Sequence, residues 1–220
     1  MLASAVLIGA NWLIYIWAVT NGYIAASSLG YFLNPLLNVL LGFLFLKERL
    51  TRLQWAAVAL AGLGVAIMAT GALDALGIAL MLALSFAFYG LIRKVAPVGP
   101  MVGLAGETII LLPAALALFG WWAVAGQGRF GTLGPGTDAL LIASGVVTAL
   151  PLLLFASAAR RMKYATIGLI QYIGPTIQFM LAIFLYREPL TTTHLVTFPL
   201  IWAGLALYSF DVWRQSRAAV

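Results

Sequence analysis

The chain has 220 residues, of which 64% are hydrophobic and only 8% are charged. Because about a quarter of the residues in soluble domains are charged, this composition excludes a water-soluble fold. The absence of cysteine excludes disulfide bonds and thiolate metal sites, and the net charge of +6 has to be interpreted together with membrane topology.

Eight apolar stretches, bounded by charged residues or by Gly, Pro and Asn, predict eight membrane-spanning helices. Each stretch approaches or exceeds the roughly 20 apolar residues that cross a bilayer. In chain order the predicted spans cover residues 1–20, 25–46, 53–73, 75–92, 100–122, 138–159, 164–186 and 193–213. The sequence therefore predicts an all-α membrane protein without a separate soluble domain.

The basic residues sort to one side of this predicted zigzag, and only Arg129 and Arg187 lie on the other side. The basic side carries Lys47, Arg49, Arg52, Arg93, Lys94, Arg160, Arg161, Lys163, Arg214 and Arg217. An excess of Lys and Arg marks cytoplasmic loops, so we predict a cytoplasmic C-terminus. The positive charge is then topological, and no nucleic-acid partner is expected.

An internal repeat relates the two halves of the chain. Residues 27–51 align without gaps on residues 167–191, which pairs Pro35 with Pro175 and Glu48 with Glu188. The same offset places spans one to three on spans six to eight, so spans four and five have no N-terminal counterpart. A five-helix unit follows, and an odd number of helices inserts the second copy upside down.

The repeat also predicts the domain organisation. We expect an incomplete first unit at residues 1–73, a complete second unit at residues 74–214 and a cytoplasmic tail at residues 215–220. On this interpretation two further helices precede Met1 in the intact protein. The alternative is a natural eight-helix protein.

The paired prolines mark a candidate substrate site. Pro35 and Pro175 lie near the middle of their spans, where each removes a backbone donor and predicts a helix kink. In inverted-repeat transporters, interrupted helices at corresponding positions point to the substrate site. The predicted substrate-binding residues on these faces are Tyr31, Asn34, Gln171 and Tyr172. Asn38 and Gln178 continue the same faces nearer the helix ends. The alternative is that the amides only hold helices together while the prolines shape the packing.

The first predicted span adds two candidates to this site. Asn11 and Trp12, with Trp17 further along, give the span a polar and aromatic face. We include Asn11 and Trp12 among the substrate-binding residues. Trp17 lies near the predicted membrane surface and is better explained by an interfacial aromatic belt.

Glu107 is the only acidic residue well inside a predicted span. Placing an ionised carboxylate there costs roughly 2.5 to 3.5 kcal/mol, so the side chain should face the interior of the bundle. It is a candidate coupling group that binds a proton or meets a cationic substrate. The alternative is a neutral or hydrogen-bonded structural carboxyl group.

Other charged and small residues favour structural roles. We interpret Glu48 and Glu188 as members of surface ion pairs or as caps for the next helix, and Arg93 and Lys94 as topology determinants. Gly64 and Gly204, which align in the repeat, predict faces for close helix packing.

No catalytic constellation emerges from the sequence. It has no nucleophile motif, no pair of acids at one membrane depth, no metal-ligand cluster and no phosphate loop. His194 is the single histidine. We therefore expect no catalytic residues, no cofactor and no metal, and an enzyme is not predicted.

Several blocks resemble one transporter family. FLKERLTRLQWAAVALAGLGV and FLYREPLTTTHLVTFPLIWAGLAL are similar to the helix-end signature of the EamA domain, which belongs to the drug/metabolite transporter superfamily. VLIGANWLIYIWAV, ASSLGYFLNPLLNVLLG, LALSFAFYGLIRK and LIQYIGPTIQFMLA resemble the RarD branch of EamA permeases. The resemblance extends from Met1 to about Trp213.

The resemblance implies a bacterial inner-membrane permease with ten helices in two inverted five-helix repeats and both termini in the cytoplasm. Such a protein moves a small organic solute or drug by alternating access, with Glu107 as a candidate for proton coupling. RarD-like proteins are named for an association with chloramphenicol, which does not establish their physiological substrate. The alternative function is a non-transporting membrane subunit or an inactive truncated remnant.

Overall fold

The computed structural model describes residues 1–71, 73–126, 128, 130–185, 187 and 191–218, and within these ranges it contains helices and no strands. Eight segments are long and apolar enough to cross a membrane, which confirms the predicted all-α fold with eight spans. Arg129 and Glu188, discussed above, lie outside the described residues.

Nine α-helices make up these spans, because the seventh span is interrupted. The helices are α1 (Leu2–Thr20), α2 (Ile24–Leu46), α3 (Arg52–Thr70), α4 (Leu76–Val95), α5 (Pro100–Val124), α6 (Pro135–Arg161), α7 (Tyr164–Ile170), α8 (Ile173–Met180) and α9 (Thr192–Ala218). A 3₁₀ turn at Leu73–Ala75 precedes α4, and a π-helical turn at Leu181–Leu185 extends α8.

The centre of the bundle is α2, which packs against α4 on one side and α7 on the other. Leu29, Phe32 and Val39 of α2 are almost fully buried. They share one apolar core with Ala165 and Leu169 of α7. Helices associate in a membrane through such close side-chain packing rather than through a hydrophobic driving force.

Small residues on α3 and α9, which the sequence predicts as faces for close packing, bring these two helices into contact. A Cβ atom added to Gly64 would lie 2.9 Å from the carbonyl oxygen of Thr197, and one added to Gly204 would lie 2.6 Å from that of Ala57. Only glycine permits backbones to approach this closely. The aligned glycines therefore belong to one interface, to which α3 and α9 each supply one glycine.

The loops after α2, α4 and α6 and the last turns of α9 meet at one end of the bundle, which we call the basic end. Lys94 donates to the carbonyls of Ala159 and Met162 at the end of α6. In return, Arg160 donates to the carbonyls of Ala96 and Val98 after α4. These contacts satisfy carbonyl groups that helix ends leave without partners, and they close the basic end between α4 and α6.

Glu48 is a cap, but not for the next helix in the chain as predicted. Its carboxylate accepts hydrogen bonds from the backbone amides of Tyr164 (2.6 Å) and Ala165 (3.0 Å), at the start of α7. The next helix, α3, has its own cap, since Thr51 Oγ1 accepts from the amide of Gln54 at 3.1 Å. A carboxylate is stabilised at a helix N-terminus by the unpaired amides and the helix dipole. Glu48 therefore joins the two halves of the chain at the basic end.

Candidate functional site

Two adjoining cavities lie inside the bundle. The inner cavity, of about 270 Å³, lies between α1, α2, α4 and the junction of α7 with α8. The outer cavity, of about 770 Å³, lies between α1, α5 and α6. Asn11, Tyr15, Tyr31 and Phe86 line both cavities. The walls of the inner cavity come from the middle of these spans and from their halves away from the basic end.

The inner cavity adjoins a cluster of three amide side chains, Asn34, Asn38 and Gln171, which we call the amide cluster. Gln171 Oε1 accepts from Asn34 Nδ2 at 3.2 Å and also from Asn38 Nδ2. Asn38 is fully buried, and Asn34 is 7% exposed. Among the described residues, neither Asn34 Oδ1 nor Asn38 Oδ1 has a hydrogen-bond partner. The cluster links α2 to the α7–α8 junction and leaves the Asn34 oxygen without a partner beside the cavity.

The two spans with aligned prolines differ in helical continuity. The seventh span is interrupted at Gln171 and Tyr172, where the Gln171 carbonyl accepts a short-range hydrogen bond from the amide of Gly174 at 3.1 Å. Pro175 has no amide hydrogen to offer that carbonyl. By contrast, α2 runs through Pro35 as one helix. Pro175 lines the inner cavity, whereas the Pro35 carbonyl faces α7 at Gly168.

Tyr172 departs from the predicted site. Its side chain is fully buried in the apolar core, and its hydroxyl donates to the carbonyl of Phe32 at 3.2 Å. Successive residues at a helix junction point in different directions. Gln171 therefore faces the cavity while its neighbour Tyr172 packs into the core.

The other predicted residues of α1 and α2 lie on the cavity walls. The amide nitrogen of Asn11 donates to the Leu82 carbonyl at 2.8 Å and to Ser85 Oγ at 2.9 Å, which fixes this side chain against α4. Trp12 lines the outer cavity only. Tyr31 lies edge-on to Tyr15, with ring centroids 6.0 Å apart, on the wall that both cavities share.

Glu107 lies on the wall of the outer cavity and belongs to a buried charged group. Glu107 Oε1 is 3.6 Å from Nη1 of Arg93, and Tyr89 donates to Glu107 Oε2 at 3.3 Å. All three residues are about 1% exposed. A Cβ atom on Gly103 would overlap the Arg93 guanidinium group, so glycine makes room for it. We call Tyr89, Arg93 and Glu107 the charged cluster.

Arg93 corrects a sequence interpretation. From the sequence we interpret Arg93 only as a topology determinant. In the structure its guanidinium group is the buried partner of Glu107 and also donates to the Pro100 carbonyl at 2.8 Å. A buried carboxylate needs a partner, and Arg93 lies near the end of α4, just before the short loop that leads into the helix of Glu107. The need of a buried Glu107 for a nearby cation is the signal in the sequence that could have predicted its pairing with Arg93.

The sequence interpretation also missed three polar or aromatic residues of the inner cavity, Tyr15, Ser27 and Phe86. Tyr15 follows Asn11 by four residues and Ser27 precedes Tyr31 by four, so helical spacing puts each on a face already identified. No such spacing in the sequence points to Phe86. Gln178, which we had placed nearer the helix end, lines the inner cavity as well.

The arrangement offers binding rather than a reaction centre. In the described part of the chain, no group of three or more His, Asp or Glu residues lies close enough together to hold a metal ion. The cavities combine aromatic walls with a few convergent amide and hydroxyl groups. Such walls are typical of sites that bind small organic molecules.

Comparisons with known proteins agree with this geometry. The sequence matches the EamA-like transporter family over residues 1–70. A protein named as an uncharacterized transporter in Pseudomonas aeruginosa is 48% identical over 217 residues, covering 98% of this chain and 72% of the relative. Protein RarD of Escherichia coli K12 is 47% identical, over 98% of this chain and 73% of the relative.

A crystal structure of a protein with 19% sequence identity superposes with a TM-score of 0.70, over 94% of this chain and 76% of that chain, and so has the same fold. The names of the relatives indicate a transporter rather than an enzyme. With eight apolar spans and bacterial relatives of this identity, the chain is a multi-pass bacterial membrane protein. It belongs to the EamA-like transporter family, in the RarD branch of that family.

Proposed function

We propose that the protein is a secondary transporter that moves a small organic solute across the bacterial inner membrane by alternating access. The observation that carries this proposal is the inner cavity, which combines aromatic walls with a few amide and hydroxyl groups and lies at the crossing of α2 with the interrupted seventh span, in the half of the bundle away from the basic end. Substrate sites of inverted-repeat transporters lie at such crossings. Asn11, Trp12, Tyr31, Asn34 and Gln171 would bind the solute, and Tyr172 would support them from the core.

The basic end would be the cytoplasmic end, with the C-terminus on the same side, because Lys and Arg accumulate in cytoplasmic loops. The cap of α7 by Glu48 and the contacts of Lys94 and Arg160 close that end. The inner cavity occupies the half of the bundle away from it. On this proposal the structure corresponds to the state that exchanges solute with the outside.

We also infer the two inverted units at residues 1–73 and 74–214, with a tail at residues 215–220. Two pairs of residues related by the repeat alignment support this division. Lys47 and Arg187 both adopt the left-handed conformation, with φ of 53° and 54°. Phe32 and Tyr172 are in direct contact, as expected for equivalent residues beside a pseudo-twofold axis.

Flux measurements on the reconstituted protein test the transport proposal. The association of RarD-like proteins with chloramphenicol makes the radiolabelled drug the first probe, alongside a panel of small metabolites. Asn34→Ala and Gln171→Ala should reduce flux at least about tenfold, since each loses a hydrogen-bonding group that meets the solute. Expression should remain unchanged, and wild-type flux in both variants would rule out this site.

Glu107 is proposed as the coupling group, because its Oε1 atom has no hydrogen-bond partner among the described residues and its side chain lines the outer cavity. Adding a proton to the carboxylate would weaken its attraction to Arg93 and so favour a different packing of α4 and α5. Flux with and without a pH gradient tests this role. We expect Glu107→Gln to abolish the stimulation by the gradient while solute binding persists. Equal stimulation of wild type and variant would exclude Glu107 as the coupling group.

A further inference from the structure

The walls of the inner cavity carry no charged side chain among the described residues. Its lining consists of small, aromatic, amide and hydroxyl side chains from α1, α2, α4 and the α7–α8 junction. A solute in this cavity is therefore selected by hydrogen bonds and ring contacts. The polar atoms of the wall that lack a hydrogen-bond partner then determine which solute groups can bind.

Two buried polar atoms on the wall lack a partner in the described part of the chain, Asn34 Oδ1 and Ser27 Oγ. Both residues are more than nine-tenths buried. Two donor groups nearby are already used, since Asn34 Nδ2 donates to Gln171 and Asn11 Nδ2 donates to Leu82 and Ser85. An amide oxygen only accepts, and a hydroxyl both accepts and donates. Both buried atoms without a partner can therefore accept a hydrogen bond, which an N–H or O–H donor would supply.

The aromatic side chains on the shared wall favour positive charge. Tyr15, Tyr31 and Phe86 present rings to both cavities. The face of an aromatic ring attracts an ammonium group, and its apolar surface also suits the carbon skeleton of a solute. These rings thus add attraction for a cation to the free acceptor atoms.

The charged cluster also disfavours an anionic solute. Glu107 faces the outer cavity, whereas Arg93 does not line either cavity. The cluster as a whole is close to neutral, but it turns its negative member towards the outer cavity, which adjoins the inner one. An ionised carboxylate in the inner cavity would meet acceptor oxygens without a cationic partner, and burying such a charge is costly.

We infer that the inner cavity selects a small organic amine, bound through its N–H groups in the protonated form, and rejects organic carboxylates. This inference rests on the proposed function, because it assigns a substrate class to the same site. Asn34 Oδ1 and Ser27 Oγ accept from the ammonium group, and Tyr15, Tyr31 and Phe86 surround the apolar part. The cavity volume of about 270 Å³ suits a small amine rather than a drug-sized molecule.

Binding of three probes of similar size tests the inference on the purified protein. Isothermal titration calorimetry compares 2-phenylethylamine, 2-phenylethanol and 3-phenylpropionate, which present a cationic donor, a neutral donor and an anion. We expect the amine to bind best and the carboxylate at least about tenfold more weakly. Equal binding of amine and carboxylate, or preference for the carboxylate, would overturn the inference.

Two substitutions assign the binding to the cavity. Asn34→Leu should weaken amine binding at least about tenfold, and Asn34→Asp should strengthen it, because a carboxylate replaces the amide oxygen. Ser27→Ala provides a smaller change if Asn34→Leu does not fold. The control is Asn21→Leu, an exposed amide outside both cavities. Unchanged amine affinity in Asn34→Asp and Ser27→Ala would place the amine elsewhere and refute the assignment.

The flux assay separates this inference from the proposed function. Amine binding without flux of any solute would count against transport and leave the selectivity of the site intact. Conversely, flux of chloramphenicol or a carboxylate that depends on Asn34 and Gln171, without amine binding, would support transport and overturn the substrate class.

Discussion

The amide cluster and the charged cluster are both polar, both buried and both at the interface between helices, yet their contacts differ. Gln171 Oε1 accepts from two neutral amides, and the cluster adjoins the open inner cavity. Arg93 and Glu107 face each other at 3.6 Å, with Arg93 enclosed between α4 and α5. A neutral group that loses a partner costs about 1–3 kcal/mol, whereas a buried charge that loses its partner costs about 3–5 kcal/mol.

This difference in charge gives the two clusters different capacities to change their contacts. Neutral amides can exchange partners as a solute enters and leaves, because no state leaves a charge unpaired. The charged cluster can rearrange only if a proton or an ion compensates the charge. On the proposed function, the first cluster would bind solute and the second would serve in coupling. Substitutions in the two clusters should consequently affect stability to different degrees.

The largest effect is expected for Arg93→Met, which leaves Glu107 buried without a cation. We expect a loss of about 3–5 kcal/mol of stability, or a melting temperature lower by roughly 10 °C, measured by thermal unfolding in detergent. Arg93→Met combined with Glu107→Leu should recover most of the loss, because no buried charge remains. The exposed Arg49→Met is the matched control. If Arg93→Met is as stable as wild type, the comparison between the clusters fails.

An intermediate effect is expected for Gly168→Ala, which tests how closely the two copies cross. The added Cβ atom would lie 2.6 Å from the Pro35 carbonyl oxygen and 3.0 Å from Asn38 Cβ, so α7 must move away from α2. Such overpacking costs about 1–3 kcal/mol. Thermal unfolding of Gly168→Ala should show this loss. Gly174→Ala in the same span meets no atom within 4 Å and should leave stability near wild type. Equal stability of the two variants would contradict the close crossing.

The smallest effect is expected for Asn38→Leu in the amide cluster. The substitution removes one neutral donor together with its own unpartnered Oδ1 atom, and Gln171 keeps its contact with Asn34. We expect a stability change of about 1 kcal/mol or less, read as a shift of a few degrees in thermal unfolding. A loss as large as that of Arg93→Met would show that neutral and charged clusters are equally rigid.

Local sequence patterns predicted much of the fold and part of the site. The eight spans, the small-residue faces of α3 and α9 and the burial of Glu107 follow from hydrophobicity, small-residue spacing and the cost of a charge in a membrane. That these two faces pack against each other was not predicted. Helical spacing around two aligned prolines selects Tyr31, Asn34 and Gln171, and the polar face of the first span selects Asn11. All four line the inner cavity.

The remaining residues needed partners that are distant in sequence. Tyr172 follows Gln171 directly, and the sequence contains no signal for which of the two faces the cavity. Glu48 caps a helix that begins 116 residues later. In both cases the packing of α2 against α7 determines which contact forms, and the periodicity of the sequence does not predict that packing.

The sequence by itself determined that the chain crosses the membrane eight times, with most basic residues at one end and two copies of one helical pattern. These properties follow from the transfer of each segment between water and lipid, which depends mainly on local composition. Only the tertiary structure decided that α2 stays continuous through Pro35 while the equivalent span breaks before Pro175. The proline removes one donor in both spans, but whether a helix breaks depends on what surrounds the freed carbonyl. Around Pro35 the helix is held between α4 and α7, whereas Pro175 borders a cavity.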